Sequence, residues 1–233
     1  MRSIGLSELS GPEAFDVAFA YELPVPETKL ARTGDQAVKH AKKIGYPVAL
    51  KLVARGVTSL SDVGGVVLGL NTPQEVRRAF FDITTRAARR QPDAYISGCF
   101  VQAMGPEDAP ECTVRFRQDP QFGPVLEFGL SGPSAEFLGD RSHRLAPLTV
   151  QDAQAMVREI QLFPLLQGAR GKPPADLKAL EDIVLTMSQM ADDFPGVAEV
   201  ELDPVIAGPE GALVTGVRVV LDQSCQSSTT CAR

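Results

Sequence analysis

The sequence predicts an α+β protein whose second half differs in character from its first. Three observations carry this. Strand and helix patterns alternate through the first half, as in layered α/β domains. A run of strands, two helices and a closing hairpin then follow. The 233 residues are 44% hydrophobic and 22% charged, the composition of an ordinary globular chain. That length holds one large domain or two small ones.

The elements follow in order. Ser10-Gly11-Pro12-Glu13 opens a helix, with a serine cap, proline in the first turn and glutamate at the capping-box position. Phe15, Ala18 and Phe19 are its expected buried stripe, and Pro24 and Pro26 end it. Lys29 to Ala31 reads as a strand. Thr33 caps a helix through Ile44 with Ala37, Val38, Ala41 and Ile44 inward, and Gly45 stops it. Strands are expected from Val48 to Leu52 and from Gly65 to Leu70. Thr72-Pro73-Gln74-Glu75 opens a helix to about Arg90, burying Val76, Ala79, Phe80 and Ile83.

Ser97 to Met104 reads as a strand leading into a hinge. Glu111–Arg117 and Pro124–Phe128 should pair around a turn at Gln118–Gln121. Gly129 to Gly139 is rich in glycine and serine and reads as a loop, and Leu145–Leu148 as extended chain. Helices are expected at about Val150–Ile160 and Pro174–Asp192, joined by a loop from Gln167 to Lys172. A hairpin closes the chain, Ala198–Ile206 against Ala212–Leu221. Centring its turn on Pro209 and Glu210 sets Glu201 opposite Arg218 and Asp203 opposite Gly216.

Charge excludes one class of function. At a net charge of -6 the chain lacks the basic face that nucleic-acid phosphates require. No apolar run approaches the roughly 18 residues of a membrane-spanning helix. The N-terminus lacks a signal-peptide apolar core, so the cytoplasm is the expected location. Of the four cysteines, Cys99 and Cys112 lie in apolar strand-like segments and read as core. Cys225 and Cys231 lie in a polar tail, and no pair has the CxxC spacing of a zinc site.

Two constellations could carry chemistry. Lys51 sits within an apolar strand run, ahead of Asp62-Val63-Gly64-Gly65. A strand lysine beside a glycine loop can hold a phosphate through its charge and backbone N–H groups. Equally, it can be a strand-end lysine that snorkels to water. Strand alternation puts Glu199, Glu201 and Asp203 on one face. Such carboxylates can ligate magnesium together with substrate phosphates, or form a solvated edge that discourages aggregation.

YPVALKLV, SDVGG, DPQFGPV, FGL, RLAPL, RGKPPADL and the late E-L-D-P occur in order from about Gly11 to Leu221. In these the chain resembles the ATP-grasp domain of NDP-forming acyl-CoA synthetases, the β subunit of the archaeal-type enzymes. The resemblance implies an ATP-grasp fold, two α+β lobes gripping ATP or ADP with Mg²⁺. It also implies a partner α subunit that holds CoA and carries a phosphorylated histidine. The corresponding divisions are an N-terminal helix (1–22), an N-terminal lobe (23–97), a C-terminal lobe (98–222) and a flexible tail (223–233). By position, Lys51 should contact nucleotide phosphates, and Gln102, Ala103 and Met104 should form the adenine hinge. Glu111 should lie near the nucleotide, Glu136 and Arg144 should face the phosphoryl path, and Glu201 and Asp203 should be the metal ligands.

The departures from the family pattern are specific. The swinging loop usually reads S-H-K-S-D-V-G-G, and here Ser59 and Leu60 replace the histidine and lysine. A phosphoserine ester is far less labile than a phosphohistidine, so Ser59 cannot be the same relay. Asp203 stands for a family asparagine, Glu201 for an aspartate, and Gly216 for an aspartate ligand. Ser131 and Arg115 replace glycines, and His143 replaces an aromatic residue. Two readings stand: a working nucleotide-binding subunit acting with a CoA-binding partner, or a degenerate module with a regulatory or structural role for another protein. Neither the acyl substrate nor the oligomeric state, homo- or hetero-, is legible.

Overall fold

The computed structural model describes residues 6–9, 11–57, 60, 62–169 and 173–222. The first elements are β1 (Leu6–Glu8), α1 (Gly11–Ala20), β2 (Thr28–Ala31), α2 (Gly34–Ile44), β3 (Val48–Arg55) and β4 (Val66–Leu70). There follow α3 (Pro73–Arg90), β5 (Tyr95–Ala103), β6 (Glu111–Asp119), β7 (Gly123–Leu130), α4 (Pro133–Leu138) and β8 (Arg141–Leu145). The last are α5 (Val150–Glu159), α6 (Phe163–Leu166), α7 (Leu177–Asp193), β9 (Val197–Gly208), β10 (Gly211–Val214) and β11 (Val217–Asp222).

The chain forms two compact units. The smaller is built on Pro26–Gly105 and contains an antiparallel sheet in the order β2-β5-β3-β4. Helices α2 and α3 cover one face of it. Val48, Leu50, Leu52, Cys99 and Val101 meet Ala37, Ala41, Val76, Phe80 and Ile83 in its core. Both helices are capped as expected. The Thr33 and Thr72 hydroxyls accept from the Gln36 and Glu75 amides, each at 3.2 Å. Gly45 ends α2 at φ 99°, a left-handed value that glycine adopts without a Cβ clash. Strand β5 is interior, paired with both β2 and β3. An expected division at residue 97 therefore falls inside a strand, and the change of unit lies at Gly105.

The larger unit holds the remaining strands in a seven-stranded sheet, β1-β11-β9-β6-β7-β8 with β10 added to β9. Helices α5 and α7 bury one face. Phe116, Leu126, Phe128, Val200 and Leu202 pack there with Met156, Leu180, Val184 and Met187. The hairpin register is the one read from its turn: Gly211 faces Gly208, Arg218 faces Glu201, and the pairing shifts only past Val220.

Three expectations are corrected. The 1–22 segment carries strand β1, paired to β11, ahead of its helix. In α1 the buried positions are Ala14 and Ala18, whereas Phe19 is 74% exposed, because the helix turns its small residues to the sheet. The Gly129–Gly139 stretch is the end of β7 followed by helix α4.

Cys99 and Cys112 are buried free thiols, each pushed up to about 12 by burial. Cys225, Cys231 and the rest of the 223–233 segment lie outside the described residues. Among the described residues no helix is long and apolar enough to cross a membrane. Glu181 of α7 is buried and accepts a 2.6 Å hydrogen bond from Arg158 of α5. Arg158→Ala strands that carboxylate and is expected to destabilise the chain by about 3 kcal/mol, read from urea unfolding.

Candidate functional site

In the smaller unit, strand alternation divides β3 into two faces. Val48, Leu50 and Leu52 point to the helices, and Lys51 lies on the opposite face beside Ala49 and Val53. Its cross-strand neighbours are Val66 and Phe100. Gln102 shares that face, opposite Ala49, and is almost fully buried at 1% exposure. Its amide nitrogen donates to Thr28 Oγ1 at 3.0 Å. The Ala103 N–H donates to Glu27 O at 3.0 Å, and β5 ends there, so Met104 is the first residue past the sheet. Thus Lys51 and Gln102 share one face, with Met104 at the strand's exit. Ser59 lies outside the described residues.

In the larger unit, the sheet face opposite the helices is polar. One row crosses five strands as direct neighbours: His143, Glu127, Arg115, Glu201 and Arg218. Along it the charges alternate. His143 Nε2 is 3.3 Å from Glu127 Oε2, and Arg115 Nη2 donates to the same oxygen at 2.7 Å. Arg115 Nη1 lies 4.0 Å from Glu201 Oε1, and Arg218 Nη1 lies 3.8 Å from Glu201 Oε2. Arg141 adds a further contact, its Nε 3.4 Å from Glu127. Gly129 makes room for that arm, because a Cβ there would meet Arg141 Nη1 at 2.5 Å.

Two residues along β9 from Glu201, Asp203 Oδ1 accepts from Thr113 Oγ1 at 3.0 Å and from the Ser131 hydroxyl. Those two hydroxyls also meet each other at 2.7 Å. Glu199 accepts from Arg218 at 2.7 Å. Gly216 presses on the same strand: the Asp203 N–H donates to its carbonyl at 3.1 Å, and a Cβ at Gly216 would stand 1.9 Å from Asp203 O.

The electrostatics follow from burial and these partners. Burial would raise the Glu127 carboxyl, but the Arg115 hydrogen bond and the charges of Arg115, His143 and Arg141 reverse this and hold it below its ordinary value. Burial lifts Glu201 above its ordinary value, with Asp203 and Glu199 pushing the same way. Arg115 and Arg218 offset only part of this. A depressed carboxylate contributes stability that is present above its unfolded pKa and lost as pH falls through the folded value. The Glu127→Gln variant is therefore expected to lose less stability than the unaltered chain between about pH 5 and pH 3, measured as urea midpoints.

The other expected site residues separate. Glu111 opens β6, exposed, and its carbonyl accepts from the Ser131 amide at 2.8 Å. Arg144 takes the opposite turn of β8 from His143 and makes a two-bond ion pair with Glu159 of α5, at 2.7 and 2.6 Å. That pair ties Arg144 to the helix-covered side of the sheet, away from Glu127 and the charged row. Glu136 lies in α4, and its side chain is outside the described residues. Among the described residues no group of three or more His, Cys, Asp or Glu side chains is arranged to hold a metal ion.

Sequence reasoning did not find Glu127, Arg141 and Thr113, the partners of the altered positions. Their signal is the alternation of β6 and β7, which is usable only once the hairpin register is known. The β6–β7 strands continue to Asp119 and resume at Gly123, a shorter turn than Gln118–Gln121.

The family described as an ATP-grasp domain matches residues 1–221. The chain is similar to the β subunit of acetate–CoA ligase (ADP-forming) I from Pyrococcus furiosus, 40% identical over 210 residues, 90% of either chain. Among solved structures it is similar to acetyl-coenzyme A synthetase 1 of Ca. Korarchaeum cryptofilum in complex with coenzyme A and Ca-AMPCP. That likeness has a TM-score of 0.88 at 38% identity, over 92% of this chain and 93% of the other. A second complex of that protein, with coenzyme A and Mg-AMPPCP, gives a TM-score of 0.78 at 36% identity over 92% of each chain.

Proposed function

This chain belongs to the ATP-grasp domain family, and from that premise we propose that it is the nucleotide-binding, β-subunit-like component of an ADP-forming acyl-CoA synthetase. It works with a partner α subunit that binds CoA. The observation that carries this reading is the near end-to-end likeness to a β subunit of that enzyme class. Buried free thiols at Cys99 and Cys112 suit a reducing compartment, the cytoplasm.

In this reading Lys51 holds the nucleotide phosphates of ATP or ADP by charge. Gln102, fixed by Thr28, shapes the base pocket, and Met104 reads the base through its backbone, since the Ala103 N–H is committed to Glu27. Glu111, at the exposed start of β6, is a further residue that this reading assigns to the nucleotide.

Glu201 and Asp203 are the residues that would hold Mg²⁺. The donor set fits: two hard carboxylates at alternate positions of one strand, completed by phosphate oxygens. Burial is the main lift on Glu201, and the repulsion from Asp203 and Glu199 that adds to it is what a bound cation would relieve. Bound Mg²⁺ supplies charge neutralisation at the phosphates. The Thr113 and Ser131 hydroxyls orient Asp203, and Arg115 and Arg218 temper Glu201.

A second reading, a degenerate module without synthetase turnover that serves a regulatory or structural role, draws on Ser59 at the relay position and on the ion-paired state of Arg144. Reconstitution separates the two. Mixed with a CoA-binding α subunit, acyl-CoA, ADP and phosphate, a working subunit yields ATP. A stable complex that yields no ATP selects the second reading. A chain that neither joins the α subunit nor binds ADP contradicts both.

A further inference from the structure

We propose that Arg115 is a resident counter-ion of Glu201 in the Glu201–Asp203 pair, competing with any divalent ion for that carboxylate, so that this chain takes up divalent cations weakly. The inference rests on the metal role assigned to those two carboxylates and not on nucleotide binding itself.

Strand register aims Arg115 at this place. It stands directly opposite Glu127 on one side and Glu201 on the other. The hydrogen bond goes to Glu127, at 2.7 Å, and the second arm reaches Glu201 at 4.0 Å. Its Nε is buried with no hydrogen-bond partner, so burial is tolerated for what the two terminal nitrogens do. Arg218 meets Glu201 from the other flank, and two hydroxyls fill Asp203 Oδ1. Both carboxylates therefore already have protein partners, long ion-pair contacts at Glu201 and hydroxyl hydrogen bonds at Asp203 Oδ1.

A magnesium ion requires near-octahedral oxygens at about 2.0–2.1 Å. A guanidinium at 4.0 Å from Glu201 opposes it in a half-buried setting where charges are poorly screened. Arg115 is anchored on Glu127, so its hold on Glu201 is the weaker of its two. Displacement from Glu201 leaves the Glu127 bond intact. The competition therefore weakens metal binding without abolishing it.

The test uses the nucleotide-free full chain and Mn²⁺, which shares the preference for oxygen ligands and whose free-ion paramagnetic resonance signal counts bound metal. Arg115→Gly and Arg115→Gln are expected to bind Mn²⁺ at least roughly tenfold tighter than the unaltered chain, equivalent to about 1.4 kcal/mol. Glu127 keeps Arg141 and His143 in both variants, and the glutamine variant also retains bulk. The gain should vanish when Glu201→Gln is added. Equal Mn²⁺ affinity in the unaltered chain and whichever variants fold overturns the proposal. So does a gain that survives Glu201→Gln. An unaltered chain that fails to bind ADP counts against the nucleotide reading alone and leaves the Mn²⁺ comparison decisive.

Discussion

Gly216→Asp is expected to destabilise the larger unit by at least about 3 kcal/mol, the upper range for forced overpacking. The added Cβ alone would stand 1.9 Å from Asp203 O and 2.8 Å from its carbonyl carbon, and both are backbone atoms. No rotamer change relieves a backbone clash. The strand carrying Glu201 and Asp203 must move, and with it the Asp203 N–H bond to the Gly216 carbonyl. The family pattern places an aspartate ligand here, so restoring that residue alone should harm the chain. A Ser59→His, Leu60→Lys, Gly216→Asp triple variant is accordingly expected to fail for want of stability before chemistry is reached. Urea unfolding of Gly216→Asp and Gly216→Ala checks this, because the alanine variant carries the same Cβ without the charge. Both should fall well below the unaltered chain.

Lys51→Ala is expected to weaken ADP binding by roughly 10-fold to 150-fold, the loss of about 1.5–3 kcal/mol for a hydrogen bond to a charged group. Lys51 lies on the sheet face away from α2 and α3, and the smaller unit's core is built from its neighbours Leu50 and Leu52. Urea unfolding of the variant, measured beside the titration, separates a loss of binding from a loss of folding. Binding lost together with folding would assign Lys51 a structural role. Lys51→Arg should recover part of the affinity, since the charge remains while the point-like ammonium does not.

The fold was legible wherever a local signal fixes an element. Threonine caps at Thr33 and Thr72 and the stop at Gly45 bounded α2 and α3, and a short turn set the β9–β10–β11 register. The ATP-grasp assignment rested on motifs spread along the chain and agrees with the family match. What was not legible depends on distant partners. Phe19 fits an amphipathic stripe by spacing, but α1 packs through Ala14 and Ala18. Strand β1 exists because β11 offers it an edge, which no local pattern announces.

The candidate site divides the same way. Lys51 was found because a strand lysine is unusual in itself. Arg115 was visible only as a departure from a glycine, and its meaning lies in Glu127 and Glu201 on neighbouring strands. The misplaced β6–β7 turn hid that pairing. Arg144 and His143 are adjacent in sequence, yet strand alternation sends them to opposite faces, one to Glu159 and the other to Glu127.

The most direct measurement is a calorimetric titration of the purified full chain with ADP, with Mg²⁺ present and then absent. Saturable binding of one ADP per chain in both conditions, tighter with Mg²⁺ by less than about tenfold, is the expected result. It would establish a working nucleotide site whose metal dependence Arg115 holds down. No binding at millimolar ADP in either condition would contradict the proposed function.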